Sequence, residues 1–445
     1  MKTLRLLAVG AMAALGIGIQ TQPSSALLYS YTSGIQVQNL GTASANVVLT
    51  FYDSNGNPTS VNDTINANSS KTFFPLPGVA SGFDGAAIIS SDQPVAAVAN
   101  VIGSGASSAR AAYVGALQGS TSVLLPLLLK NHGTSRSNTW FKVQNTGNAT
   151  ANVTVTYSDG TSATATIPVG ASKLFDQSVE THNATSFAGE VTSNQPVAVA
   201  VIQENTSTMF AYSGFTGGST NPVLPLINAN NNGYVTGVQI QNGGTTDTQV
   251  TVSYTPAVAG TACTETQTIP AKQSRNFALS AFTNGTSPGG STNCIGGARF
   301  VGSAQVTANT ANQPLVVIVN QVQNGVSGEA YNGFDPAAAK SKVVIPLIAD
   351  RSGSSLNYTG FNIQNVGTSA TTVTCTFSNT SYQVSATLQP GQALNDVQNN
   401  KISPGYVGSA TCTASGGGKI VGVVNQVAAT APGDRLFVSE AIPVD

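Results

Sequence analysis

The sequence predicts an all-β protein built from four tandem β-sandwich repeats. The first observation behind this prediction is a hairpin pattern that occurs four times: a short alternating run ends in Gln-Asn, a polar turn follows, and a second alternating run begins. The second is that strand and turn signals recur about every 8–12 residues without a convincing amphipathic helix, as in β-sandwiches. The four hairpins are IQVQNLGTASANVVLTF from Ile35, FKVQNTGNATANVTVTY from Phe141, VQIQNGGTTDTQVTVSY from Val238 and FNIQNVGTSATTVTCTF from Phe361.

Residues 1–26 are predicted to be a cleaved secretory signal peptide. Lys2 and Arg5 give a positive start, residues 6–19 form an apolar run, and the small residues before Leu27 predict cleavage after Ala26. An uncleaved anchor is the alternative, although the apolar run is short for a membrane span. No second apolar run of about 20 residues occurs, so we expect an extracellular or cell-surface protein with no membrane span in the mature chain.

The mature chain divides into four predicted repeats, 27–128, 129–229, 230–349 and 350–445. After its hairpin, each repeat carries a proline- or alanine-marked turn, an aromatic-x-glycine, a turn into an apolar run, and a Tyr-x-Gly that the fourth repeat lacks. Each repeat ends in an apolar-Pro-apolar strand, which its proline confines to a sheet edge. These strands are Leu125-Pro126-Leu127, Leu224-Pro225-Leu226, Ile345-Pro346-Leu347 and Ile442-Pro443-Val444.

Alternation in the second strand of each hairpin predicts which side chains face the core. Thr and Ser fill most of the alternate positions, and burying one apolar side chain contributes roughly 1.5–3 kcal/mol. The predicted core positions are Val47, Leu49 and Phe51, then Val153, Val155 and Tyr157, then Val250, Val252 and Tyr254, and finally Val373, Cys375 and Phe377.

The four cysteines favour two disulfides within repeats, in agreement with an oxidising compartment. Cys263 and Cys294 fall in repeat 3, on an insertion whose long loop a bridge would clip, and Cys375 and Cys412 fall in repeat 4. Sequence alone permits three connectivities. Metal binding is the weaker alternative, because no CxxC spacing occurs and no histidine lies near a cysteine in the sequence.

Two motifs make the chain similar to the tandem immunoglobulin-like, CARDB-like repeats of bacterial surface proteins. They are the hairpin Val143–Tyr157 and the Ile-Pro-x-Gly-x-Ser turn at Ile167–Ser172. The resemblance covers nearly all of the mature chain, implies immunoglobulin-like sandwiches with an adhesive or architectural role at the cell surface, and transfers no site residues. Because Cys375 and Cys412 are both predicted to face the core, we expect a bridge between the two sheets, as in immunoglobulin domains.

The chain is poor in charge. Only 8% of its residues are charged, against about 25% in an ordinary globular protein, and the formal net charge is −1. No basic stripe attracts nucleic acid or anionic lipid, so neither is expected as a partner. A neutral, hydroxyl-rich surface favours association between copies.

Residues that carry chemistry are sparse, so we expect no enzyme activity and no cofactor. The two histidines, His132 and His182, lie in polar loop contexts without a nucleophile elbow, and no acids recur in a pattern that indicates a cleft. The stretch Asp53–Asn57 has two interpretations, a hairpin turn or a calcium loop. Its Asn-Gly pair and the missing closing glutamate favour the turn.

Trp140 is the only tryptophan and stands where the other repeats have glycine, so it is expected to point outward. A rim position over the end of the sandwich is favoured over a sugar-binding platform. Glycan contact by Trp140 stays open as a weak hypothesis. If Trp140 binds glycan, surface polysaccharide is a second expected partner besides further copies of the chain. The alternative function is then that of an adhesin or glycan-binding protein that makes contact through the insertion of repeat 3.

The ends of the chain indicate a route to self-assembly. An apolar-Pro-apolar strand precedes repeats 2, 3 and 4, is missing before repeat 1, and is present after repeat 4 as Ile442-Pro443-Val444. If each such strand also completes the following repeat, the tail of one molecule can pair with the head of the next and a filament grows. In the simpler alternative, the strand belongs only to its own repeat. The expected function is an exported structural protein that self-assembles into a filament, sheath or surface layer.

Overall fold

The structure, a computed structural model, describes residues 4–8, 27–105 and 107–444, with backbone alone for residues 4–8. The predicted cleavage site after Ala26 lies outside the described residues. The chain forms two compact units, Met1–Thr216 with Pro432–Asp434, and Gly217–Ala431 with Arg435–Asp445. The first unit contains repeat 1 and residues 129–216 of repeat 2, and the second contains residues 217–229 with repeats 3 and 4, except that Pro432–Asp434 belong to the first unit.

The first unit consists of antiparallel strands that build two sandwiches. The strands of repeat 1 are β1 (Leu4–Ala8), β2 (Ser30–Asn39), β3 (Ala45–Asp53), β4 (Pro58–Ile65), β5 (Ser70–Phe73), β6 (Gly85–Ser91), β7 (Val95–Ser104) and β8 (Ser108–Val114). Those of repeat 2 are β9 (Ser120–Leu129), β10 (Asn138–Asn145), β11 (Ala151–Tyr157), β12 (Ser162–Ile167), β13 (Ser172–Asp176), β14 (Ser186–Glu204) and β15 (Met209–Ser213).

The second unit repeats this order with one helical insertion. The elements of repeat 3 are β16 (Val223–Ala229), β17 (Tyr234–Asn242), β18 (Thr248–Ala259), β19 (Cys263–Ile269), β20 (Ser274–Phe277), α1 (Leu279–Asn284), β21 (Gly290–Thr292), β22 (Phe300–Ala308), β23 (Leu315–Gln323), β24 (Ser327–Asn332) and a 3-10 turn, Pro336–Ala338. Those of repeat 4 are β25 (Lys342–Asp350), β26 (Asn357–Asn365), β27 (Thr371–Phe377), β28 (Gln383–Leu388), β29 (Ala393–Val397), β30 (Tyr406–Ala414), a 3-10 turn at Ser415–Gly417, β31 (Ile420–Ala428), β32 (Leu436–Glu440) and β33 (Ile442–Val444).

Each repeat has two antiparallel sheets, here called sheet I and sheet II. The strand orders in sheet I are β1-β6-β3-β4, β9-β14-β11-β12, β16-β22-β18-β19-β21 and β33-β25-β30-β27-β28. The orders in sheet II are β5-β2-β7-β8, β13-β10-β14-β15, β20-β17-β23-β24 and β29-β26-β31-β32. Strand β14 is long enough to serve both sheets of repeat 2, pairing with β11 through its first half and with β10 through its second. The predicted all-β sandwich fold is confirmed.

The predicted core positions are buried in all four repeats. Each of the twelve side chains that the alternation assigned to the core is at most 5% exposed. Thr and Ser at the alternate positions face away from the core and form cross-strand hydroxyl pairs, such as Thr374 with Ser385 at 2.9 Å. The period of two in the sequence therefore sets the register of the hairpin, because a slip of one residue would reverse the two faces.

The asparagine of the Gln-Asn motif explains why the hairpin recurs. The Nδ2 atom of Asn145 donates to the carbonyls of Ala149 (2.8 Å) and Ile167 (3.0 Å), and its Oδ1 accepts from the backbone N–H of Gly147 (2.9 Å). This fully buried amide satisfies turn groups that have no ladder partner. The same three contacts are made by Asn39, Asn242 and Asn365.

Within the first unit, repeat 1 packs on the outer face of sheet II of repeat 2. Tyr31 and Val101 of repeat 1 share an apolar cluster with Trp140 and Ile202 of repeat 2. In the second unit, a cluster likewise joins repeat 4 to the core of repeat 3, with Val423, Val438, Leu315, Val317 and Tyr331 among its members. In the described part of the chain, no helix has the length and apolar character needed to cross a membrane.

Candidate functional site

The apolar-Pro-apolar strand completes the sandwich that follows it. β9 pairs with β14 of repeat 2, β16 with β22 of repeat 3, and β25 with β30 of repeat 4. Each of these pairs has a register shift at or beside the proline, as expected for a residue that cannot donate to the ladder. The strands that complete repeats 2, 3 and 4 therefore begin seven to nine residues before the boundaries that the sequence period indicates.

Each completing strand inserts three apolar side chains into the core. Two precede the proline by one and three residues, and one follows it by two residues. The three sets are Val123, Leu125 and Leu128 in repeat 2, Pro222, Leu224 and Ile227 in repeat 3, and Val343, Ile345 and Ile348 in repeat 4. Leu224 and Ile227 are fully buried. Repeat 3 has proline at the first of these positions, so Pro222 supplies that place there.

In repeat 1 the corresponding place in sheet I is taken by β1. The register runs antiparallel from Leu4 opposite Ser91 to Ala8 opposite Ala87 on β6. This segment belongs to the predicted signal peptide, so the first sandwich is completed by residues that the predicted cleavage would remove. All four sandwiches thus have a completing strand at the same place in sheet I. In the sequence this was visible only as the missing apolar-Pro-apolar strand before repeat 1.

The C-terminal strand β33 is not spare, which corrects the sequence-based hypothesis for Ile442, Pro443 and Val444. It pairs antiparallel with β25 of its own repeat, with Ile442 opposite Val344 and Val444 opposite Lys342. Ile442 is 6% exposed and Ala441 before it is fully buried. Removing Glu440–Asp445 would therefore strip an edge strand from repeat 4.

Strand register shows why the motif at the C-terminus was misread. Ile442 contacts the strand β25 at the position where Phe334 bridges Val223 in repeat 3 and Phe215 bridges Leu124 in repeat 2. Ile442 is thus the residue that follows the Tyr-x-Gly position, and not a further copy of the apolar-Pro-apolar strand. The proline next to it produced the false match.

Trp140 points away from the core of its own repeat, as expected, but it is buried and offers no platform for a glycan. Its ring meets Tyr31 edge-on at 5.3 Å between centroids, and its Nε1 donates to the Tyr31 hydroxyl at 3.3 Å. The expectation rested on the glycine that the other repeats have at this position, which does not report that repeat 1 covers the outer face of the sheet.

Glu204 is a buried carboxylate at this same contact that the sequence analysis missed. It accepts hydrogen bonds from the Tyr31 hydroxyl and from the backbone N–H of Leu28 (3.2 Å). Burial raises the pKa of Glu204, and the hydrogen bond from Tyr31 offsets part of that rise. The signal that could have found it is an acidic residue two positions after the apolar run Val197–Ile202.

The structure joins Cys375 to Cys412 and Cys263 to Cys294. The first bridge links neighbouring strands of one sheet, since Cys375 on β27 lies opposite Cys412 on β30. The expected bridge between the two sheets is therefore wrong: both side chains do face the core, but from the same sheet. Apolar pairs fill this place in the other repeats: Leu49 with Ile89, Val155 with Val191, and Val252 with Val306.

The second bridge holds the insertion of repeat 3. It connects β19 to the segment after β21, with Cα atoms 5.0 Å apart. A cavity of about 70 Å³ lies beside it, lined by Cys263, Phe282, Ile295 and Arg299 among others. The Ile295 side chain at its rim is 63% exposed.

The two histidines are not brought together. His182 stacks on Phe187 with centroids 4.1 Å apart, and its Nδ1 lies 3.2 Å from Asp159 Oδ2 and 3.1 Å from Thr161 Oγ1. Burial lowers the pKa of His182, against the pull of Asp159 in the other direction. His132 is exposed, with its Nδ1 3.2 Å from Thr185 Oγ1.

Asp53 forms a turn. Its Oδ1 accepts from the backbone N–H groups of Asn55 (2.9 Å) and Asn57 (2.8 Å), and its Oδ2 accepts from the Asn57 side chain. Among residues 27–105 and 107–444, no group of three or more His, Cys, Asp or Glu side chains is arranged to hold a metal ion.

Asp350 at the end of β25 clamps a loop of repeat 4, a role that sequence reasoning missed. Its fully buried carboxylate accepts from Arg351 Nε (2.8 Å) and from the backbone N–H groups of Asn400, Lys401 and Ile402 (2.8–3.1 Å). Burial raises the pKa of Asp350, but the four hydrogen bonds outweigh it and hold the pKa below its usual range.

Comparison with known proteins adds little to these observations. No family model matches the chain, and neither does any curated protein. One solved structure, titled as the crystal structure of a tetra-tandem repeat in the extending region of a large adhesion protein, is 12% identical. The match covers 94% of this chain and 96% of that chain, with a TM-score of 0.09. A TM-score of that size carries no argument about fold or function.

Proposed function

We propose that this chain is an exported, non-enzymatic structural protein of the cell surface whose copies associate into a filament, sheath or layer. One observation carries the proposal. The Gln-Asn-x-Gly motif, the feature that recurs most regularly in the four repeats, is used up in internal hydrogen bonds through Asn39, Asn145, Asn242 and Asn365. What the four copies hold in common is thus the architecture of the sandwich.

Two further features support a structural role. The outer face of sheet II in repeats 2 and 4 is buried by the preceding repeat, so that each unit is a packed pair. Low charge and near-zero net charge favour contact between copies. The surface offers Ser, Thr and Asn side chains that pair without charge repulsion.

The first test is negative-stain electron microscopy of residues 27–445 at neutral pH after concentration. Regular filaments or sheets are expected. Particles that stay dispersed at every concentration would count against the assembly proposal. The cleavage after Ala26 is tested separately, by mass spectrometry of the protein recovered from cells that export it.

An adhesive function is the second candidate, favoured by the insertion of repeat 3. The exposed Ile295 and the cation Arg299 border the cavity beside the Cys263–Cys294 bridge, and Val258 nearby is 60% exposed. Exposed apolar side chains on a disulfide-held loop are suited to contact with another surface. Binding of the intact protein to cells or polysaccharide that falls with Ile295→Ser, but not with Val179→Ser on an exposed loop of repeat 2, would favour this candidate.

A further inference from the structure

The first sandwich takes its edge strand from the part of the chain that export removes. In repeats 2, 3 and 4 the edge of sheet I is covered by a strand of the mature chain. In repeat 1 it is covered by Leu4–Ala8. The inference that follows rests on the export and cleavage in the proposed function, because only cleavage uncovers β6.

The uncovered edge has a strong tendency to pair. The N–H of Asp92 donates to the carbonyl of Asn46 at 3.4 Å. In an antiparallel pair, every second residue of β6 counted back from Asp92 therefore directs its backbone N–H and C=O groups towards β3. By that alternation, the backbone groups of Ala87 and Ile89 point to the opposite side, towards the edge that β1 covers. Without a partner strand these groups and the adjoining core lose their cover.

The loss in apolar contact is large on the scale of one domain. In repeat 4 the completing strand buries Val343, Ile345 and Ile348. A sandwich without such a strand leaves the matching part of its core open to water, and burial of apolar surface is the dominant favourable term in folding. A strand supplied from elsewhere recovers much of this.

β6 also lacks the features that protect sheet edges. Its sequence, Gly85–Ser91, contains no charge and no proline. The opposite edge of the same sheet, β4, begins at Pro58 and carries Asp63, which pairs with Lys71 at 2.6 Å. Charges and prolines on an edge discourage pairing between molecules, so β6 and not β4 is the edge open to addition.

A second copy of this chain supplies the fitting strand. The tail strand Ile442–Val444 is only three residues long and is engaged with β25. β6 itself is seven residues long. When the β6 strands of two copies pair antiparallel with Ile88 at the centre, Ala87 of each copy lies opposite Ile89 of the other. Because the two-fold axis is then perpendicular to the sheet, the core-facing side chains of both copies stay on the core side.

We propose that in the mature protein β6 of repeat 1 pairs antiparallel with β6 of a second copy, joining the two copies in a two-fold dimer through one continuous sheet. The signal segment β1 covers this edge until cleavage. The dimer is closed at this contact, so any larger array grows through other surfaces.

The proposal is tested by the mass in solution of residues 27–445 and of a chimera that carries its own edge strand. In the chimera, residues 120–129, which complete repeat 2, precede Leu27 through a Gly/Ser linker as long as residues 9–26. Light scattering coupled to size exclusion should give twice the monomer mass for the mature chain and the monomer mass for the chimera. A matched control chimera with Val123→Asp and Leu125→Asp in the added strand cannot fill the core and should remain a dimer.

Hydrogen exchange of the mature chain keeps the test decisive if a chimera fails to fold. The amides of Ala87 and Ile89, which face the edge, should lose protection on dilution, while those of Ile88 and of the central strand Ala45–Asp53 should not. A monomeric mature chain, a dimer that persists in the intact chimera, or β6 protection that does not change on dilution would each overturn the proposal. These measurements use residues 27–445 directly, so their outcome depends neither on electron microscopy nor on N-terminal processing. The dimer proposal can therefore fail while the proposed structural function stands, and the structural function can fail while the dimer is confirmed.

Discussion

Asn145 supplies with one side chain the hydrogen bonds that the turn between β10 and β11 cannot make with its own backbone. Its amide is the acceptor for one N–H and the donor for two carbonyls. Buried groups left without a partner cost about 1–3 kcal/mol each. The recurrence of Asn at this place in all four repeats therefore has a local physical cause.

Replacing Asn145 should destabilise repeat 2 strongly. We expect Asn145→Ala to lower the free energy of unfolding by about 2–4 kcal/mol. Asn145→Asp should cost more at neutral pH, because a carboxylate would face the carbonyls of Ala149 and Ile167. Urea denaturation followed by circular dichroism measures both, with Asn148→Ala in the exposed part of the same turn as the control. If the two asparagines prove equally dispensable, the capping role is refuted.

Asp350 should make the stability of repeat 4 depend on pH. Its folded-state pKa is lowered, so the stabilisation is present above the unfolded pKa and is lost as the pH falls through the folded pKa. Asp350→Asn should destabilise by about 2–4 kcal/mol at pH 7, since an amide places N–H groups against three backbone N–H donors. The difference between variant and wild type in urea titrations should shrink as the pH is lowered towards 3. A difference that does not change with pH would contradict an ionised Asp350.

At the residue scale, alternation was enough to find the core but not the covered outer faces. The positions of Val153, Val155 and Tyr157 follow from a period of two, which reports the sheet's own two faces. Trp140 and Glu204 are buried by a neighbouring repeat, and no local pattern reports which outer face a neighbour covers. Asp350 was missed because its three backbone donors lie about fifty residues further along the chain.

At the element scale, the disulfide in repeat 4 replaces a pair of apolar side chains. Cys375 and Cys412 occupy the cross-strand place that Val155 and Val191 fill in repeat 2. We expect the double variant Cys375→Val with Cys412→Val to keep the fold and to lose at most about 4 kcal/mol, the loop-closure value for a loop of this length.

The matched variant Cys375→Ser with Cys412→Ser should lose about 2 kcal/mol or more beyond that, because two hydroxyls would be buried in an apolar core. Thermal denaturation compares the two under the same conditions. Equal stability of the Val and Ser pairs would show that the place does not behave as core.

Element order and type were predictable except for the helix α1 in the insertion of repeat 3, whereas the partner of a strand was not. The hairpins follow from alternation and polar turns within about twenty residues of sequence. Which repeat the apolar-Pro-apolar strand belongs to depends on pairing between residues 57 to 77 positions apart, from β9 to β14. The sequence period fits assignment of this strand to the preceding or to the following repeat. The false match at Pro443 arose in the same way, since a three-residue motif carries no register.

At the scale of the whole molecule, the division into two packed pairs predicts separate folding. The clusters around Tyr31 and Trp140 and around Val317 and Val423 each lie within one unit. Cleavage at a protease site placed between Thr216 and Gly217 should therefore leave two fragments that both keep β-sheet circular dichroism and cooperative melting. A cut between Gly115 and Ala116, inside the first unit, is the control and should reduce its melting temperature. Unfolding of either fragment after the first cut would argue against two units.

The position of the completing strand also determines when each repeat can fold. All strands of repeat 2 lie in one continuous stretch of chain, Ser120–Phe215, and the completing strand β9 is the first of them to be synthesised. No sandwich after the first depends on a strand from a later repeat, so repeats 2, 3 and 4 can each fold as soon as their own last residues are available. Repeat 1 alone has its first strand, Leu4–Ala8, in the segment that the predicted cleavage after Ala26 would remove, so under the proposed export it is the one sandwich of the four that leaves the cell with an open sheet edge.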